Sequence, residues 1–476
     1  MKRIVAGLVV LLVLVSAFFA AGIRAQQPFV VHEWGTFTTL AGSDGRLLPG
    51  LYHEEESLPY FVGSFSGFSP QISKGLYMPC SGATLKMETP VIYFYSDVAR
   101  SVSVRVDWPA GTISQWYPPR ADGEPYPSRF DTLHLEDTAE HGWIAWNAQI
   151  RAKAPDDTLG LWKPGETHTW QAPRATDANI VTDSLGNVEK YLFYRGVGNA
   201  ERMSIATQEI WTQYLHDTLV VANETYMPVP YAFVYQLSDD SATQSVLWAG
   251  SLNTGWAAMC PPNARTLNFD SVLAGFRDSL VVCGLYRKEA DAMIETWRQS
   301  YFGRPGVRVF WIVPRWATNY TLKLDITPTP DSIERVIVAR SEILTPAFEH
   351  KLDTAFANGN SWMYYGDRYY LAYQARVAAM DAQAARAAVH PVSAQGSDAA
   401  IYPNPTTGML TLDFPYNPIS TQVAIIDELG RAQDVSAHAA DNTMSLDLSQ
   451  LQSGVYLLRI QSATGTTMQR VVKARQ

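Results

Sequence analysis

The sequence predicts an α+β body, β-rich over its first two-thirds with helices late, followed by a small C-terminal Ig-like β-sandwich. Three observations carry that prediction. Up to about residue 260, aromatic and β-branched residues alternate with polar ones in short runs, the period of half-buried strands. From about residue 270 the apolar spacing lengthens to that of helices, with strands between them. After about residue 400 short alternating runs return, separated by turn residues at the spacing of a small β module.

Taken in order, the chain opens with Lys2 and Arg3, an apolar run from Ile4 to Ile23, and Ala25 before two glutamines. That is the grammar of a cleaved signal peptide over residues 1–25. A membrane anchor is the rival, since the run is long enough to span a bilayer. No Cys follows it, which argues against a lipoprotein. No later segment has the apolar length to cross a membrane. The whole chain carries 37 Lys and Arg against 46 Asp and Glu, a net −9. Removing Lys2, Arg3 and Arg24 makes it more acidic, and no basic block tracks a phosphate backbone, so nucleic acid is not expected as a partner.

In the body, residues 26–390, Pro90–Tyr95 and Ser101–Trp108 read as a hairpin, with Val102, Val104, Val106 and Trp108 on one face. Trp143–Ile150, Lys190–Arg195 and Tyr231–Leu237 read as further strands. Asp270 is placed to cap a helix carrying Val272, Leu273, Phe276, Leu280 and Cys283, stopped by Gly284. A second helix carries Ala290, Met293, Ile294, Trp297 and Tyr301. Strands follow at 307–313, 322–326 and 335–344, then a helix opening at Thr345-Pro346 and a last Ala-rich helix over 365–389. Small and polar residues at 391–398 form a linker.

The last segment, 399–476, carries Tyr402-Pro403-Asn404-Pro405, then Gly408, a strand and turn ending at Gly430, Leu448 to Leu451, Gly454-Val455-Tyr456 and a closing Val472-Lys473. Together these resemble the type A C-terminal sorting domain of the bacterial type IX secretion system. The resemblance implies export to the periplasm, then outer-membrane passage through the secretion machinery. It further implies cleavage of the domain and a cargo that is released or attached to surface lipopolysaccharide. Val31–Phe37, Met87–Pro90, Phe193–Gly198 and the Gly284–Trp297 region resemble uncharacterised exported bacterial proteins, which lend no residue roles.

Candidate chemistry in the body is sparse. Cys80 and Cys260 sit in loop contexts, so a Cys80–Cys260 disulfide with a buried unpaired Cys283 is expected, other pairings staying open. Closing so long a loop would stabilise the body by about 2–4 kcal/mol. His32 and Glu33 are neighbours on a strand and point to opposite faces, which disfavours a shared metal. Glu33 and Glu88 are acids of the type that glycoside hydrolysis pairs. His53-Glu54-Glu55-Glu56 reads as an acidic surface loop. His134, Glu136, Asp137, Glu140 and His141 are donors without a compact metal motif. No cofactor fingerprint is evident. All 14 Trp lie between Trp34 and Trp362. Most are expected in a core, with Trp116 the best candidate for an exposed sugar-stacking ring. The body is therefore expected to be a surface binding module for a glycan-like ligand. The alternatives are a secreted hydrolase with an acidic or metal-assisted site and, third, a structural envelope protein.

Overall fold

The computed structural model describes residues 28–48, 58–65, 80–126, 132–137, 141–153, 163, 166–203, 210–215, 217–225, 227–262, 264–357, 399–414, 417–418, 421–427, 432–462 and 465–474. The signal segment 1–25, the acidic run His53–Glu56, Glu140, the helix expected at 365–389, the linker 391–398 and Gly430 lie outside them.

The described chain is strand-rich, built of several sheets with few helices. Phe29–Ala41 runs through the middle of a nine-stranded sheet. It pairs in parallel with Ser332–Ile343 and antiparallel with Leu85–Ser96. Every residue of it except Val30 is buried, because both faces of the sheet are covered.

One face packs on a six-stranded sheet. There Val31 and Phe37 share a core with Val104 and Trp108 of Arg100–Trp108 and with Ile144 and Trp146 of Gly142–Ile150. The other face receives two helices, Phe269–Val282 and Arg287–Phe302, whose Phe276, Leu280, Met293 and Trp297 pack with Trp34. Residues 31 and 34 therefore feed different cores, as strand alternation requires.

Two expectations change, and one helix was not foreseen. Leu85–Ser96 and Arg100–Trp108 are not a hairpin. The first belongs to the nine-stranded sheet and the second to the six-stranded one, so the chain changes layer between them. The alternation along 100–108 holds, with Val102, Val104, Val106 and Trp108 buried. The cap of the first long helix is Asn268, whose side chain accepts the Ser271 N–H at 2.9 Å, rather than Asp270. A seven-residue helix, Arg315–Thr321, was too short for its period to be read.

Two four-stranded sheets are built from residues 400–473. They share one apolar cluster that includes Leu412, Phe414, Ile425, Leu446, Leu458 and Val471. Among the described residues no strand of this segment pairs with a strand of the body.

Candidate functional site

In the C-terminal segment, the Tyr402–Gly408 stretch lies along the edge strand Gly465–Lys473. Asn404 brackets that strand. Its Nδ2 donates to the Arg470 carbonyl at 2.7 Å and its Oδ1 accepts the Val472 N–H at 2.8 Å. Thr406 continues the clasp: its N–H donates to the Val472 carbonyl and its own carbonyl accepts from Ala474 N–H. Lys473 donates from Nζ to the Thr407 carbonyl at 2.9 Å. An edge strand otherwise presents unpaired backbone groups, and here the motif residues satisfy them. Gly408 has no room for a side chain, since a Cβ would stand 2.8 Å from the Ser449 hydroxyl. Tyr456 holds the turn before its strand by donating to the Gln452 carbonyl at 2.9 Å. Asn404, Gly408 and Lys473 thus belong to one clasp along Gly465–Lys473.

The body's candidates disperse. Glu33 points into the core between the sheets, where Arg335 Nε donates to it at 2.5 Å and the Tyr194 hydroxyl also donates. His32 points the other way. Its Nδ1 lies 2.7 Å from Glu289 Oε2, and a carboxylate only accepts, so Nδ1 carries the proton. Glu289 also accepts from the Tyr95 hydroxyl and from the Tyr286 N–H, both at 2.7 Å, which makes it half of a capping box. Burial first, and the Glu289 charge second, push the Tyr95 hydroxyl far above its ordinary pKa. Glu88 pairs elsewhere, with Lys86 Nζ at 3.0 Å and Arg195 at 3.9 Å. Each of these acids is engaged by a positive group or a histidine.

His134 and His141 go to separate partners. His141 Nε2 meets Asp107 at 3.2 Å. Burial alone would lift the Asp107 carboxyl, but hydrogen bonds from Arg105 and His141 outweigh it and hold it below its usual range. His134 joins Ser81 and Glu136 on the surface. The Ser81 hydroxyl donates its one proton to Glu136 at 2.8 Å, so it must accept from His134 Nδ1 at 3.0 Å. A nucleophilic serine needs the opposite direction. Among the described residues no group of three or more His, Cys, Asp or Glu is placed to hold a metal ion.

Two further expectations are corrected. No disulfide joins Cys80 to Cys260. Cys260 is buried at the end of Ala257–Cys260 in a small three-stranded sheet, and burial pushes its thiol up to about 12. Cys80 belongs to a two-stranded pairing with Leu133–His134. Trp116 is not exposed: it is only 3% accessible, because every residue of Gly111–Tyr117 is buried within the nine-stranded sheet. Arg120 lies over its ring at 4.4 Å.

An open groove of about 680 Å³ lies between the two long helices and the short helical segment around His168–Gln171. Its charged lining is Arg277, Lys288 and Arg298 against Asp270, Asp291 and Glu295. Leu273, Ile294 and several alanines form its apolar part. Its ion pairs are half-exposed, Arg277–Asp291 at 3.5 Å and Arg298–Glu295 at 2.6 Å. The buried Nε of Arg277 makes no hydrogen bond among the described residues. Apart from Asp270, read as a helix cap, none of these charged residues stood out in the sequence, because charges on the outer face of a helix are the ordinary solvated pattern. Glu289 and Arg335, the buried partners, carried no readable signal either: Glu289 sits among Arg287, Lys288 and Asp291, and Arg335 directly follows Glu334.

Comparison with known proteins agrees with the C-terminal geometry. Residues 400–474 match the family described as a secretion system C-terminal sorting domain. No curated protein matches the chain. Among solved structures, a marsupial T cell receptor is 10% identical with a TM-score of 0.11, covering 81% of this chain and 95% of its own. A biofilm associated protein BSP domain is 8% identical with a TM-score of 0.14, covering 92% and 83%. At those scores neither supports a likeness of fold. The sorting domain marks proteins that are secreted and often attached at the cell surface, and no helix among the described residues is long and apolar enough to cross a membrane. The chain thus ends in a C-terminal sorting domain of the type IX secretion system, and the protein is an exported cargo of that system.

Proposed function

We propose that the body is a binding module delivered to the cell exterior, and that it holds a neutral, hydroxyl-rich glycan in the groove beside Arg277. The charge balance of that groove is the observation that carries the reading. Three basic and three acidic side chains line it, so it offers many donors and acceptors without a field that selects an ion. Its ion pairs are half-exposed and contribute little to stability, so sugar hydroxyls can replace them at small cost. The Nε of Arg277 makes no hydrogen bond among the described residues, with the Asp278 carboxylate standing 3.7 Å away, so a sugar hydroxyl can accept from it. The engagement of Glu33, Glu88 and Glu289 in internal pairs supports binding over hydrolysis.

The same proposal divides the chain into a signal over 1–25, a body over 26–390, a linker over 391–398 and a sorting domain over 399–476 folded as an Ig-like sandwich. The shared core of the two small sheets supports that last point. Surface lipopolysaccharide is the proposed attachment site after sorting.

A glycan array probed with the purified protein tests the reading. Neutral oligosaccharides should bind, and Arg277→Met or Asp291→Asn should weaken binding by about tenfold. Absence of any glycan binding, with metal-dependent turnover of a hydrolase substrate panel, would replace this reading by the hydrolase one.

A further inference from the structure

Among the described residues, two contacts between the sorting domain and the body are explained neither by export nor by the groove. At the first, Arg470 of the sorting domain forms an ion pair with Glu224 of the body, Nη1 to Oε2. The Arg470 guanidinium also lies 5.8 Å from the centre of the Trp211 ring. At the second, Gly255 stands so close to Gly454 that a Cβ on Gly255 would lie 3.2 Å from the Gly454 Cα.

The body's half of this contact is rigid. Glu224 follows the strand Thr218–Asn223, and the Asn223 side chain donates to the Met227 and Leu252 carbonyls and accepts the Thr225 N–H. The Asn223 carbonyl accepts the Gly255 N–H at 2.8 Å, so both contact points hang on one residue. Trp211 sits on the neighbouring strand, opposite Ala222. The sorting domain's half is rigid too, since Asn404 holds the Arg470 carbonyl.

The Glu224 side chain is only 7% exposed. A carboxylate so shielded is costly without a cation, while the Arg470 side of the pair is 42% exposed and partly screened by solvent. An acid at the side and an indole at the face together favour a planar guanidinium over a compact ammonium.

We propose that Glu224 and Trp211 form a guanidinium seat on the body, which Arg470 fills, so that sorting domain and body remain bound after the chain between them is cut. Cutting and release are then separate events.

The test uses the full chain with a site for a specific protease placed within 391–398. After cutting, the wild-type halves should co-elute on size exclusion, and excess N-acetyl-arginine amide should separate them at lower concentration than the lysine amide. Arg470→Met alters an accessible side chain, so its fold is expected to survive, as circular dichroism of the uncut chain will verify. Its cut halves should associate at least about tenfold more weakly, with Arg470→Lys falling between. Wild-type halves that part on cutting, or Arg470→Met halves that stay together equally well, would overturn the proposal. Neither result bears on glycan binding.

Discussion

Glu33 shows why a residue must be judged by its partners. It sits fully buried between two sheets, held by Arg335 and Tyr194, and such a pair is costly to break from one side. Arg335→Met should lower unfolding stability by about 3–5 kcal/mol in urea titration. The double change with Glu33→Gln should lose less, because no charge is then stranded. A merely exposed pair would lose under about 1 kcal/mol. The cysteines make a second prediction at this scale. Denatured without reductant, the protein should show all three cysteines reacting with a thiol reagent. In the native state Cys260 should stay silent at pH 8, since burial keeps it protonated and covered.

At the scale of elements, edge strands and outer faces decide behaviour. Asn404 supplies two hydrogen bonds to the edge strand Gly465–Lys473. Asn404→Ala should cost the sorting domain about 1–3 kcal/mol and reduce the fraction of protein recovered outside the cell. Undiminished secretion together with an unchanged melting profile would contradict that role. On the outer face of Arg100–Trp108, Asp107 gathers Arg105 and His141, and its folded pKa lies below the ordinary 3.8. A lowered carboxyl pKa contributes stability above the unfolded value and loses it as pH falls through the folded one. The melting gap between wild type and Asp107→Asn should therefore be open at pH 5–6 and close below about pH 4. With Arg105 half-exposed the gap should be small, under about 1 kcal/mol.

For the whole molecule, the separation of sheets is the governing fact. The sorting domain's strands pair only with one another among the described residues, so its removal leaves every described body ladder intact. Deleting residues 400–474 should leave a folded body that accumulates in the periplasm, seen by fractionation and immunoblot. A truncated protein still found outside the cell would show that export does not depend on this domain.

Local grammar was enough for much of this. The alternation along 100–108, the helices at 269–282 and 287–302, and the ordered motif from Tyr402 to Lys473 all depend on interactions within a few residues or on a motif whose elements recur in order. Opposite orientation of His32 and Glu33 followed from strand geometry alone. What only the tertiary structure decided involves residues far apart in the chain: Glu33 with Arg335, His32 with Glu289, the burial of Trp116, and the assignment of neighbouring strands 85–96 and 100–108 to different sheets. The physical reason is that side-chain period reports which residues face a common surface. Which surface that is, and what charge waits there, is fixed by packing between segments up to about three hundred residues apart.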